Sequence, residues 1–238
     1  MKPNAILLGW ILWVAAGGCS TAQTTGTSVT VIGAMRDVMW KGELGGNLRL
    51  DTLLPQAHLY GLGPVAYLTG EILILDGKSY RSTVAADASI KTEETYDLQA
   101  PFFGYAHVPA WREHPLPDSI LTIRQLETYL DQTIPAGNRP LMFRLVGDFV
   151  EMTIHIVNLP PGTMVQSPAA AHQGQQTYQL PHEAGEVLGF FSTKHKTIFT
   201  HHDTWLHMHF ITQDRQKMGH VDHFLLPKGG VTLYLPVQ

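Results

Sequence analysis

Cysteine is almost absent: Cys19 is the only one in 238 residues. No disulfide can brace the folded chain, and no pair of thiolates can hold a metal. Charge is scarce as well, at 15% of residues. Lys and Arg number 16 against 20 Asp and Glu, for a net charge of −4. The basic residues are not clustered, which excludes a nucleic-acid partner, because neutralising phosphates takes grouped cations. Neither an internal repeat nor a block of like charge occurs. No apolar run reaches the ~20 residues that a membrane-spanning helix needs. What is abundant is apolar surface, 44% of residues, enough to build a core and to exclude general disorder. Histidine is the compositional oddity, with 13 copies. It is a common metal ligand and the side chain that titrates near neutral pH.

The first residues read as an export signal. Lys2 gives a positive start, and Ala5 to Ala16 is a short apolar run. Ala16-Gly17-Gly18-Cys19 has the form of a bacterial lipobox, with Cys19 as a lipid anchor. The alternative is an ordinary secretory signal cut near Ala22, with Cys19 discarded. Either way the expectation is an exported protein, periplasmic or anchored to a membrane. Ser20 to Ser28 is a polar tether.

Strand signals dominate the remainder. Val29 to Met39 starts extended and passes into a short helix, and Asn47 to Leu54 is a helix turn or a strand, stopped by Pro55. Pro64 to Leu68 and Glu71 to Leu75 are apolar, and Asp76-Gly77 is a hairpin turn before Lys78 to Val84. Ala85 to Leu98 is polar and reads as a loop; Pro101 to Val108 is strand-like. Ile120 to Ile134 has helical spacing, with Asp118 or Ser119 as N-cap. Leu141 to Val146 and Phe149 to Val157 form a hairpin about Gly147-Asp148. Asn158 to Gln179 is an exposed loop. Five short strands follow at Glu186 to Ser192, Thr197 to His201, Trp205 to Thr212, His220 to Leu226 and Val231 to Leu235. This pattern predicts an α+β, mostly β fold. A signal and tether (1–28) precede a mixed-sheet N-terminal domain with one helix (29–158). A small C-terminal β-barrel (159–238) carries the metal site.

The metal site is predicted from spacing. In Trp205-Leu-His207-Met-His209-Phe, residues two apart share one face of a strand, so His207 and His209 aim at one point. A hairpin centred on Asp214 and Arg215 brings His220 opposite His209 on that face, unless Gly219 makes a bulge. Three imidazoles with a fourth position open are the pattern of a catalytic zinc, although other divalent ions accept the same ligands. His201, His202 and His223 are nearby rivals; the first two are adjacent and point oppositely, so at most one can join.

His-x-His-Phe-Ile-Thr followed by Gly-His, with ten residues between the second and third His, resembles the bacterial acetolactate decarboxylases. So do Lys41-Gly42-Glu43-Leu44, Gly61-Leu62-Gly63, Gly70-Glu71-Ile72 through Asp76-Gly77-Lys78-Ser-Tyr80, Phe143-Arg144-Leu-Val-Gly147-Asp-Phe149 and Val187-Leu188-Gly189-Phe190. The likeness runs from Val29 to Leu235. It implies that His207, His209 and His220 hold zinc, that Glu71 is the catalytic carboxyl, and that the protein is a homodimer. It also implies the conversion of 2-acetolactate, a small 2-hydroxy-3-oxo acid, to acetoin and carbon dioxide.

Three departures stand beside it. Pro64 replaces a Thr seven residues before the Glu. His155 stands where the family has an active-site Arg, as a cationic or proton-donating substitute whose charge depends on pH. The family's second Glu, well past the third His, has no counterpart before Gln238; Asp222, two residues past His220, is the first carboxylate to consider in its place.

Overall fold

The computed structural model describes residues 27–53, 56–201 and 203–237. The export signal, Cys19, most of the tether, Leu54, Pro55 and His202 lie outside the described residues. Two six-stranded sheets carry the fold. The first is ordered β1 (Thr30–Ile32), β8 (Phe103–His107), β3 (Leu59–Pro64), β4 (Glu71–Leu75), β5 (Lys78–Val84), β6 (Ile90–Glu94). The second is ordered β11 (Gln176–Phe191), β12 (Leu206–Thr212), β13 (Met218–Leu225), β10 (Leu141–Ile156), β14 (Val231–Pro236), β9 (Trp111–His114). A two-stranded ribbon pairs β2 (Leu48–Arg49) with β7 (Gln99–Ala100). Three helices join them: α1 (Met35–Lys41), α2 (Ile123–Thr133) and α3 (Pro168–Ala171). The fold is mostly β with few helices.

Alternation along the strands sorts side chains into layers. Leu62, Leu73 and Leu75 from the first sheet meet Leu188 and Phe190 from the second in a shared interior. The other face of the second sheet presents Leu206, Met208, Phe210 and Phe224 to Leu126 and Leu130 of α2. Consecutive residues of β12 therefore serve different layers. Apolar side chains lie under the helix, and the intervening histidines face the space between the sheets.

Several sequence expectations change. Residues 141–156 form one continuous strand, not a hairpin. Gly147 stays within the strand at φ 153°, a conformation that side-chain-bearing residues rarely adopt, and a Cβ there would sit 2.2 Å from Gly230 O, so its glycine serves a close approach of chains and not a turn. Residues 90–94, polar and read as loop, are edge strand β6; charge on an edge strand blocks further pairing. Thr197 to His201 is a turn, with His195 O accepting from the N–H of Ile198, Phe199 and Thr200. α2 starts later than its apolar spacing implied. Its cap is Thr122, in a box with Gln125, because Ile120 N–H closes a turn on Pro117 O and takes Asp118 and Ser119 out of reach. The stretch 158–179, read as loop, contains α3 and the start of β11.

Strand β10 bends sheet membership across the division drawn at residue 158. One edge pairs with β11 along its length; the other pairs with β14 at Arg144–Gly147 and with β13 at Glu151–His155. Since β11 pairs with β12 and β12 with β13, the pairings return to β10. Segment 159–238 does not close on itself; it needs β10 from the preceding half.

Phe210 is fully buried and stacks edge-on against Phe149, with ring centres 5.2 Å apart. Phe210→Ala removes that ring from beneath the histidine-bearing strand. It should cost about 3–5 kcal/mol in urea-unfolding measurements, well above the ~1 kcal/mol of a typical single substitution.

Candidate metal centre

The register of three neighbouring strands builds the site. His209 of β12 lies opposite His220 of β13, and His220 lies opposite His155 of β10. Directly opposed residues share a face, so three imidazoles form a row across the sheet. His207, two residues before His209, joins from the same face. No register shift intervenes between β12 and β13 at Gly219; the irregularity falls between β10 and β13, beside Thr153 and Ile154. Nitrogen atoms of His207, His209 and His220 all lie within 4.8 Å of one another, and all three residues are buried.

Hydrogen bonds fix which nitrogen faces inward. His207 Nδ1–H donates to Phe199 O at 2.8 Å, and His209 Nδ1–H donates to Ile72 O at 2.9 Å. A carbonyl can only accept, so these bonds place the proton on Nδ1 and leave Nε2 with its lone pair. Metal-binding histidines are oriented in this way. His209 Nε2 is buried and has no hydrogen-bond partner. Such an orphaned acceptor is costly unless something occupies its lone pair. Ring spacing gives an independent test. An ion about 2.0–2.1 Å from each nitrogen in tetrahedral array sets ring centres roughly 5.2 Å apart. The observed centres are 5.2, 4.9 and 5.5 Å apart for the 207–209, 207–220 and 209–220 pairs. The triad fits a divalent ion without rearrangement.

Glu71 of β4 faces the triad from the opposite sheet. It shares the inward face of its strand with Leu73 and Leu75 and is buried. Its Oε1 accepts from Val157 N–H at 3.2 Å, and its Oε2 lies 3.5 Å from His209 Nε2, beyond good hydrogen-bond contact. Burial pushes the Glu71 carboxyl well above its usual range, opposed mainly by the Val157 N–H. Pro64, directly opposite Glu71 across β3 and β4, helps line the same cavity.

The remaining candidates separate clearly. His155 is brought to the rim, its ring 4.6 Å from that of His220. Its Nδ1 is 2.7 Å from Asp222 Oδ1, and the Asp222 charge also adds to the upward push on Glu71. His201 reaches the cluster, 4.8 Å from His220 but 6.4 Å from His207 between ring centres. His223 faces outward toward Glu151. Sequence reasoning missed His172, which lines the cavity with its ring 6.3 Å from that of His155. It follows α3 in a stretch whose composition signalled only loop. Met35, Met39, Leu68 and Phe102 complete an apolar wall. The free cavity is about 30 Å³, and methionines are the wall residues most able to yield to a ligand.

Residues 33–235 match the family described as alpha-acetolactate decarboxylase. The chain belongs to the alpha-acetolactate decarboxylase family. Among curated members, that of Lactococcus lactis subsp. cremoris is 25% identical over 191 residues, 79% of this chain and 76% of the relative. That of Bacillus subtilis is 23% identical over 192 residues, 81% and 72% of the two chains. The crystal structure of the B. subtilis alpha-acetolactate decarboxylase superposes with a TM-score of 0.66 at 19% identity, covering 88% of this chain and 86% of that one. A Staphylococcus aureus protein of unknown function similar to the family superposes at 0.68, with 18% identity and coverage of 87% and 84%. The acetolactate decarboxylase fold is therefore shared.

Burial favours the neutral form of the three triad imidazoles and of His201. It lowers His209 to about 3 and His201 to about 4, and it holds His207 and His220 well below the ordinary value of 6.5. In the unfolded chain these groups take up protons below pH ~6.5. A group whose folded pKa is depressed contributes stability that is complete above its unfolded value and is lost as pH falls. Each fully buried imidazole should therefore cost the metal-free protein about 2 kcal/mol on going from neutral pH to about pH 5. Glu71, shifted the other way, offsets part of that loss. Urea midpoints of metal-free protein should fall across this window; a flat profile would show that these imidazoles are not held neutral.

Proposed function

We propose that this protein is a zinc-dependent decarboxylase that converts 2-acetolactate to acetoin and carbon dioxide. The carrying observation is a triad of buried imidazoles at tetrahedral ring spacing, two of them with Nε2 turned inward, and a buried carboxyl facing it from the other sheet. His207, His209 and His220 would hold the ion, and zinc suits three imidazoles with an open position, although other divalent metals accept them too. When bound, the ion supplies Lewis acidity at the hydroxyl and carbonyl oxygens of a 2-hydroxy-3-oxo acid.

The chain's own groups supply the remainder. Loss of carbon dioxide leaves an electron pair that the neighbouring ketone accepts, and a proton must then reach carbon on one face. Glu71, whose carboxyl burial pushes up, is placed to deliver it as a general acid. Val157 N–H orients Glu71 through Oε1. The apolar wall of Met35, Leu68 and Phe102 excludes water and so lowers the local dielectric around the developing charge. His155, held by Asp222, takes the rim position that the family gives to Arg.

A second reading has specific support: an exported zinc- or ligand-binding lipoprotein that keeps the metal but has lost or changed the activity. Pro64 brings no hydroxyl to the cavity, and no Lys or Arg is among the described residues that line it. Substrate carboxylate would be met by the imidazole of His155 and not by a guanidinium. Export with a lipid anchor at Cys19 belongs to both readings, as does a homodimer.

Acetoin formation from acetolactate by zinc-loaded protein separates them. Glu71→Gln should retain one equivalent of zinc and lower turnover by about 10²–10⁴-fold, whereas His207→Ala should lose both zinc and turnover. Stoichiometric zinc with no acetoin would favour the second reading. Full activity in Glu71→Gln would remove Glu71 from the mechanism.

A further inference from the structure

His220 belongs to two sets of donor atoms. One is the buried triad with His207 and His209. The other is His155, His220 and Asp222, whose ligand atoms also lie within 4.8 Å of one another. Exposure falls in steps along these residues. The Asp222 side chain is 36% exposed and that of His155 7%, while His207 is 2% and His209 0% exposed. A hydrated cation is attracted first by a carboxylate at the surface and sheds its waters only when other donors replace them. The two sets are arranged in that order, with His220 as their common corner.

We propose that His155, Asp222 and His220 form a second divalent-cation site, a weak one through which the ion enters and leaves the buried triad. The inference rests on the metal reading of His207, His209 and His220. An ion at the rim displaces the hydrogen bond between His155 Nδ1 and Asp222 Oδ1, and the imidazole proton moves to the other ring nitrogen without net loss. Transfer to the triad then exchanges Asp222 and His155 for His207 and His209 while His220 is retained, so the ion is never left without protein ligands. The hydrogen bond from His155 to Asp222 is the resting arrangement of the rim before an ion arrives.

A stepping stone lies on the path in both directions. Removing it slows entry and exit alike and leaves the final affinity unchanged. The test is stopped-flow addition of Zn²⁺ to the metal-free full chain, and competition with a chromophoric chelator for release. Asp222→Asn and His155→Gln should each bind one equivalent with the wild-type dissociation constant. Their association and dissociation rates should both fall about tenfold, and association should lose part of its dependence on ionic strength. Far-UV circular dichroism and the retained stoichiometry check that each variant folds; the two substitutions are independent, so either one suffices. Unchanged rates in both variants would overturn the proposal. So would slower association coupled to faster dissociation and weaker binding, since that would make Asp222 and His155 supports of the final site. Wild-type protein that binds no zinc would end this proposal together with the metal centre, an outcome distinct from either.

Discussion

Two backbone carbonyls govern what the buried histidines can do. Phe199 O and Ile72 O each take the Nδ1 proton of one imidazole, which turns Nε2 of His207 and His209 toward a common point. Without those acceptors the rings could bury either nitrogen, and the lone pairs would not converge. One carbonyl comes from a turn ahead of β12 and the other from the opposite sheet. The site therefore depends on the two sheets being packed together, because half of its orienting shell crosses the interior between them.

The sandwich arrangement explains the division of labour along β12. Period-two alternation sends Leu206, Met208 and Phe210 into the layer under α2 and the two histidines into the layer between sheets. Packing on one face holds the strand rigid, and the other face carries chemistry. β4 repeats the pattern from across the interior, with Ile72 and Ile74 turned to the outer layer and Glu71, Leu73 and Leu75 turned inward. The imidazoles and the carboxyl are thus presented by rigid strands whose reverse faces are clamped.

The triad was legible because its geometry is local. His207 and His209 are two apart, and the turn at Asp214 and Arg215 sets the register of His220. Glu71 came only through family likeness, since an isolated strand carboxyl has no signal of its own; the opposite sheet that buries it is far away in sequence. Alternation put Asp222 on the His220 face, where it lies; its bond to His155 was not legible, because that depends on the pairing of β13 with the distant strand β10. His172 carried no sequence signal, because a loop position is fixed by tertiary packing and not by period. The hairpin about Gly147-Asp148 was misread because Gly147 looked like a turn. A glycine that admits a neighbouring backbone and a glycine that reverses the chain look alike in one dimension.

The bond from His209 to Ile72 O has a consequence for variation. It is made by the main chain, so the Ile72 side chain steers the ligand only indirectly, by packing in the outer layer and holding β4 extended. Glu71 immediately precedes it and points to the other face. Slippage of β4 by one residue would expose the acid and remove the acceptor at once. Acid and ligand orientation are inherited as one unit of strand register, so a change at residue 71 or 72 that shifts β4 disturbs both together.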